Sequence, residues 1–351
     1  MLQKHPSGAG RLAIRADSPL EATAGWLPPV GATLSLVSPP DLPFEVALAI
    51  MASCGALMGL VYGRSLPRRA LSWSVLALSA AVSAFFMTSA TDLSRAVVVL
   101  GTTLHTFRLV DLMQEEVIPG PLDRAIYVLA PYETTLAREI EPWLDVKGAA
   151  ACLAWMVCGS TALSLLLLAP QPEGWLGAVM RWGLTLIAFY CLIELMVGTL
   201  RTGLRARGVE ILPAHDHPAM ATSVHDFWSK RWNLLVHRWL HRNVFRRVAR
   251  RHGVVQGVAA AFAVSTALHL WIMAATAGFW PSVMWALFFM LQGALLVIER
   301  KLAIRRRPAP VPRLWTLTVM LGSSALFVYP VSQVLLDPRV VEGFRSLVFA
   351  I

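Results

Sequence analysis

The chain has 351 residues, of which 56% are hydrophobic and only 15% charged, with a formal net charge of +10. A soluble globular chain is closer to half apolar and a quarter charged, so a water-soluble protein is excluded; disordered chains are poor in apolar residues, so disorder is excluded as well. The basic residues are concentrated in two segments, because 201–253 carries a net +8 and 299–313 a net +5. This local basicity is typical of loops that face an anionic membrane surface and does not indicate a nucleic-acid-binding face. We therefore expect an all-α polytopic membrane protein.

A helix that crosses a bilayer needs a window of about 20 mostly apolar residues. Residues 1–40 are rich in Pro, Gly, Ser and Ala without a signal-peptide core, so we expect a flexible tail. About eight windows follow within a membrane domain at 41–338: 43–62, 71–91, 95–112, 149–169, 175–199, 254–276, 279–298 and 314–336. A short C-terminal tail at 339–351 is too short to span and is expected to lie at the interface.

Lys and Arg are distributed unevenly among the connections between these windows. They follow the first, fifth and seventh windows, whereas the turns at 170–174 and 278–281 contain none. The positive-inside rule then predicts that the basic loops are cytoplasmic and that both termini lie outside. The acidic loop 113–147 falls on the cytoplasmic side in this count, which weakens the assignment without reversing it.

The segment 213–252 is the least like a simple connector. Residues 226–233 read Asp-Phe-Trp-Ser-Lys-Arg-Trp-Asn. In residues 234–251, apolar side chains recur at near-helical spacing and most of the positions between them are basic. This pattern predicts a basic amphipathic helix in the membrane interface. Two roles stay open for its arginines, binding lipid phosphates or binding the phosphates of a polyphosphorylated substrate. The arginines concerned are Arg246, Arg247, Arg250 and Arg251.

A histidine, His269, lies well inside the 254–276 window, with Ser265 one helical turn before it. An imidazole in the hydrocarbon region requires a protein partner or a wet cavity. One interpretation is a structural histidine that is hydrogen-bonded to Ser265 or to a neighbouring helix. The other is a general base, because an imidazole can accept a proton from a hydroxyl near neutral pH.

Together, these motifs resemble the wax synthase-like branch of the membrane-bound O-acyltransferases. Residues 226–233 are similar to the family's D-F-W-G-R-R-W-N segment, and His269 follows Asn233 by 36 residues in an apolar helix. Residues 288–293, Phe-Phe-Met-Leu-Gln-Gly, are similar to the aromatic-rich helix after the family's histidine. The resemblance covers about 210–300. The chain departs from the pattern at 229–230, where Ser-Lys replaces Gly-Arg, and at Leu270, where many relatives carry Glu.

This resemblance implies transfer of an acyl group from a thioester, usually acyl-CoA, to the hydroxyl of a lipophilic alcohol. Acyl-CoA would be a co-substrate, and neither a bound cofactor nor a metal is implied. His269 would be the general base and Asn233 a polar partner of the reacting groups. The acceptor stays open among long-chain alcohols, sterols and terpenoids. The other residues implied in substrate binding are Asp226, Phe227, Trp228, Arg231, Trp232 and Ser265.

Parts of the sequence also fit other functions. A transporter or lipid-handling channel fits the spans and basic loops, although the repeated halves common in transporters are not visible. A catalytically silent relative that binds acyl-CoA is a third possibility. His215 and His217 have the spacing of a weak metal motif without a third ligand. Glu194, His105 and Arg108 lie in apolar windows and either mark a functional interior or pair with one another.

Overall fold

The computed structural model describes residues 41–87, 90–114, 120–133, 136–169 and 172–349. Helices make up most of the described chain, which confirms the all-α prediction; one small antiparallel sheet pairs β1 (Arg138–Glu139) with β2 (Val209–Glu210). The tail predicted at 1–40 lies outside the described residues. The region predicted as a short C-terminal tail contains a helix from Pro338 to Phe349.

Thirteen α-helices follow one another in the described parts of the chain. They are α1 (Phe44–Val61), α2 (Leu66–Phe85), α3 (Asp92–Leu112), α4 (Pro121–Leu129), α5 (Val146–Leu168), α6 (Gly174–Arg205), α7 (Val224–Asp226), α8 (Leu234–Leu240), α9 (Arg246–His252), α10 (Val254–Thr276), α11 (Phe279–Lys301), α12 (Pro310–Leu335) and α13 (Pro338–Phe349). A π-helical turn, Phe227–Arg231, follows α7 on the way to α8, and a second, His241–Phe245, joins α8 to α9.

Every predicted span coincides with a helix, but the predicted number of spans is not confirmed. Among the described residues, six helices are long and apolar enough to cross a membrane, namely α1, α5, α6, α10, α11 and α12. The other two windows correspond to α2 and α3, which have 20 and 21 residues and are not among the six. α3 carries four charged residues, Asp92, Arg95, Arg108 and Asp111.

The largest apolar cluster lies where α6, α10, α11 and α12 meet. Trp285 of α11 stacks on Phe327 of α12 with ring centroids 5.5 Å apart and donates to the Phe327 carbonyl at 3.0 Å. Gly293 lets α10 approach closely, since a Cβ there would stand 2.8 Å from the Cβ of Phe262. Close packing of these large side chains holds together the helices that carry the candidate site, because van der Waals packing and not transfer from water drives helix association in a bilayer.

The predicted amphipathic helix is present as α8, the π-helical turn and α9, and it ends at Gly253, which has a φ of 94°. Its apolar side packs against α3. Trp239 is buried, stacks on Phe107 with centroids 4.2 Å apart, and donates to the Phe107 carbonyl at 3.3 Å. The helix is therefore attached to the rest of the protein, and its location in the membrane interface stays a prediction.

Candidate active site

A cavity of about 290 Å³ lies between the 225–245 segment and helices α10 and α11. Asn233 and His269 both line it, although they are 36 residues apart in the sequence. Most of the wall is apolar or aromatic, and Trp228, Trp232 and Phe289 contribute to it. The structure thus brings the predicted catalytic pair into the wall of one largely apolar cavity.

The ring of His269 is held in one orientation by its own helix and by α11. Nδ1 lies 2.7 Å from the carbonyl oxygen of Ser265. A carbonyl oxygen only accepts hydrogen bonds, so Nδ1 carries the proton and Nε2 carries the lone pair. The ring stacks on Phe289 with centroids 3.7 Å apart and meets the edge of Trp285 at 5.2 Å. The bond to Ser265 therefore supports the role of a base, because in the described part of the chain Nε2 has no hydrogen-bond partner.

Asn233 adopts a left-handed backbone conformation, with φ 42° and ψ 58°, which asparagine tolerates better than most residues. Its Oδ1 accepts the backbone N–H of Val236 at 3.4 Å and so caps the start of α8. Only the amide oxygen of Asn233 can accept this N–H, so its Nδ2 group takes no part in the cap. No acceptor for Nδ2 exists among the residues that the structure describes, so this amide is available to a ligand in the cavity.

The aromatic residues of the 226–233 motif form a stacked group. Phe227 lies parallel to Trp232 with centroids 5.6 Å apart and meets Trp228 edge-on at 5.1 Å. Trp228 and Trp232 line the cavity, whereas Phe227 packs behind them. The π-helical turn that carries these residues is a feature often found at functional sites.

Asp226 and Arg231 form an ion pair with each other rather than contributing to the cavity wall. Arg231 Nε lies 2.7 Å from Asp226 Oδ2, and its Nη1 donates to the carbonyls of Asp216 and His217 at 3.3 Å. These contacts brace the loop that precedes the motif. Ser265, by contrast, does line the cavity. Direct substrate contact by Asp226 or Arg231 therefore stays a prediction.

The four arginines predicted to contact phosphates are exposed on α9, next to the cavity but outside its wall. Arg247 donates to the side chain of Gln114 at 2.5 Å. The neighbouring Arg242 is different, because it lies 3.0 Å from Asp111 and 2.8 Å from Glu133 and is thereby engaged within the protein. Phosphate binding by Arg246, Arg247, Arg250 and Arg251 stays a prediction.

Three further histidines and a serine line the cavity and were not predicted as site residues. Ser229 Oγ lies 3.2 Å from His225 Nδ1, and His237 and His241 stack with centroids 5.9 Å apart. Burial lowers the pKa of His237 to about 4, and burial together with nearby Arg305 lowers the pKa of His225. The i, i+4 spacing of His237 and His241 was a signal, since it places both on one face of a helix.

The possible metal motif at His215 and His217 has two different sets of partners. His215 Nδ1 lies 2.9 Å from Glu194 Oε1 on α6, whereas His217 Nδ1 lies 2.9 Å from Asp216 Oδ1 on the surface. Within the described ranges, no three His, Cys, Asp or Glu residues are grouped to hold a metal ion. Glu194 is therefore paired with His215 and not with the α3 residues considered from the sequence.

Comparison with known proteins gives the same assignment as the motifs. No protein-family model matches the chain. Probable long-chain-alcohol O-fatty-acyltransferase 7 of Arabidopsis thaliana is 32% identical over 143 residues, which are 37% of this chain and 42% of that protein. Probable long-chain-alcohol O-fatty-acyltransferases 3 and 2 of the same plant are each 34% identical, over 138 and 131 residues. The chain resembles the long-chain-alcohol O-fatty-acyltransferases.

That similarity confirms the wax synthase-like resemblance indicated by the 226–233 motif and His269. The matches to acyltransferases 3 and 2 cover 35% of this chain in each case, and 40% and 37% of those proteins. The chain thus spans about two fifths of the length of the curated relatives it matches.

Proposed function

We propose that this protein transfers an acyl group from acyl-CoA to the hydroxyl of a lipophilic alcohol, with His269 as the general base. The observation that carries the proposal is the shared cavity: His269 and Asn233 both line it, and within the described part of the chain neither Nε2 of His269 nor Nδ2 of Asn233 has a hydrogen-bond partner. The names of the relatives add support for a long-chain alcohol as the acceptor and a fatty acyl group as the donor.

In the first step, the alcohol oxygen attacks the thioester carbonyl while Nε2 of His269 accepts the hydroxyl proton. An alcohol is a poor nucleophile at neutral pH, so removing its proton during attack lowers the barrier. The positive charge that develops on the ring is supported by the Nδ1–H bond to the Ser265 carbonyl. The apolar wall keeps water away, which matters because water would compete with the alcohol for the thioester.

In the second step, the tetrahedral oxyanion collapses and the carbon–sulfur bond breaks. The Nδ2–H group of Asn233 would donate to the oxyanion, and one well-placed donor of this kind stabilises it by about 3 kcal/mol. The imidazolium returns the proton to the departing CoA sulfur, so that an ester and a free thiol leave and His269 is neutral again. The cycle thus balances without any further reactant.

The first test of the proposal is ester formation by the purified protein in detergent. Incubation with a panel of acyl-CoAs and alcohols should yield new esters, detected by mass spectrometry, together with free CoA. The variant His269→Ala should lose this product while keeping its helix content. His252→Ala, which removes an exposed histidine at the end of α9, serves as the matched control and should stay active.

Either of two results would contradict the proposal. Turnover retained by His269→Ala would remove this residue as the base. Absence of any ester from the wild-type protein, combined with movement of a labelled lipid across vesicles, would favour the transporter alternative.

A second test concerns the donor. Replacing Arg246, Arg247, Arg250 and Arg251 by Gln should raise KM for acyl-CoA by about tenfold or more, because charge-assisted hydrogen bonds to phosphates are lost. KM for the alcohol should change little. The charge-matched control replaces Arg64, Arg306, Arg307 and Arg313, which are exposed and do not line the cavity, by Gln. Equal increases for both substrates would instead indicate that α9 only anchors the protein on anionic lipid.

A further inference from the structure

One cavity residue, Trp228, is attached to a chain of hydrogen bonds that runs away from the cavity. Its indole Nε1 donates to Oε1 of Gln292 on α11 at 3.1 Å. Nε2 of Gln292 donates to Oγ of Ser323 on α12 at 2.7 Å, and that hydroxyl donates to the Val319 carbonyl at 2.6 Å. Three separate segments of the protein are joined through a single buried amide.

The direction of this chain is fixed by the chemistry of its ends. An indole N–H only donates, so the amide oxygen of Gln292 must face Trp228 and the amide nitrogen must face Ser323. The side chain of Gln292 is fully buried. A leucine would fill a similar volume without the cost of burying an amide, so packing alone does not account for glutamine at this position.

The indole held in this way is also in contact with the aromatic group around His269. Trp228 lies 5.8 Å from Phe289 between ring centroids, and Phe289 stacks on His269 at 3.7 Å. Phe262 meets Trp228 edge-on at 5.8 Å from α10. The position of the Trp228 ring therefore bears on the shape of the space directly beside the imidazole.

We propose that Gln292 is a positioning residue: it holds Trp228 as a rigid part of the cavity wall and thereby sets which substrate chains the cavity accepts. The inference rests on the proposed acyl transfer. The role of Gln292 is separate from the acyl-transfer chemistry, because Gln292 lies behind the cavity wall and touches neither substrate nor reacting atoms. Without its bond, the indole N–H would be left unpaired in an apolar environment and the ring would move to find another partner.

The test compares selectivity and not activity alone. For the wild type, Gln292→Leu and Gln292→Glu, kcat/KM is measured over a series of alcohols and a series of acyl-CoAs of increasing length. In Gln292→Leu the ratio between the best and the worst substrate of at least one series should fall by about tenfold. Gln292→Glu, protonated in this apolar site, retains an acceptor for the indole and a donor for Ser323 and should keep the wild-type ratios. Met290→Leu, on the exposed face of the same helix, is the matched control.

This design separates positioning from folding and from failure of the proposed function. A purely structural role would reduce the amount of active Gln292→Leu protein, lowering every kcat equally and leaving the ratios unchanged. Unchanged ratios in an active Gln292→Leu variant would overturn the inference while leaving acyl transfer intact. Loss of selectivity in Gln292→Glu as severe as in Gln292→Leu would also overturn it. A wild-type protein that forms no ester would refute the proposed function on which the inference rests.

Discussion

At the residue scale, Asn233 meets three requirements at once. Its backbone is left-handed, its Oδ1 caps α8, and its Nδ2 has no partner in the described part of the chain. Aspartate meets the first two requirements but has no N–H, whereas alanine meets none of them well. The sequence motif indicated that this residue mattered, but the division of the side chain into a cap and a free donor depends on where α8 begins.

Asn233→Asp should therefore separate catalysis from folding. We expect a melting temperature close to that of the wild type and a kcat lower by about 100-fold to 1,000-fold, the usual effect of removing one oxyanion donor. Asn233→Ala should lower both, because the cap is worth about 1 kcal/mol and the left-handed backbone disfavours alanine. Thermal unfolding in detergent and ester formation give the two readouts. Full turnover in Asn233→Asp would exclude the amide as the oxyanion donor.

At the scale of elements, the amphipathic helix combines a predicted and an unpredicted property. Its periodicity alone predicted a helix with an apolar side and a basic side. The sequence did not show that Arg242 and Asn243 both bind Asp111, or that Trp239 packs on Phe107. Those partners lie more than 100 residues away in the chain, so no local pattern reports them.

Removal of one partner from this cluster should destabilise the protein. In Arg242→Met, the buried carboxylates of Asp111 and Glu133 would lose a half-exposed counter-charge, and solvent screening limits the cost to about 1–2 kcal/mol. Arg246→Met removes an exposed arginine four residues later and should change the stability by less than about 0.5 kcal/mol. Unfolding followed by circular dichroism measures both. Equal losses of stability in the two variants would show that the ion pairs of Arg242 with Asp111 and Glu133 contribute little.

At the scale of the whole molecule, the number of membrane crossings depends on α2 and α3. Each is about 30 Å long at 1.5 Å per residue, which matches the hydrocarbon thickness. The charged residues of α3 lower its mean hydropathy. However, Arg108 is buried, with its guanidinium 5.0 Å from the centre of the Tyr127 ring. Asp111 is paired with Arg242, between α8 and α9. Charges that meet protein partners do not face lipid, so we expect both helices to span.

Cysteine labelling decides between six and eight spans. In a protein whose four native cysteines are replaced by serine, single substitutions are introduced as Ala90→Cys, Arg250→Cys and Arg306→Cys. An impermeant maleimide should label position 90 in intact cells, and should label positions 250 and 306 only after lysis. Position 90 lies between α2 and α3, so labelling on the same side as the other two would show that neither helix crosses.

Composition, hydrophobic period and short motifs belong to the chain itself. They were sufficient for the membrane class and for the positions of the long helices, and they single out Asn233 and His269 as candidate site residues. Contacts between distant segments depend on how the helices pack. The shared cavity, the Asp226–Arg231 pair that turns away from it, the extra histidines in its wall and the Gln292–Trp228 bond all arise in that way. Packing depends on many weak contacts between residues that are far apart in the chain, so a short stretch of sequence does not determine it.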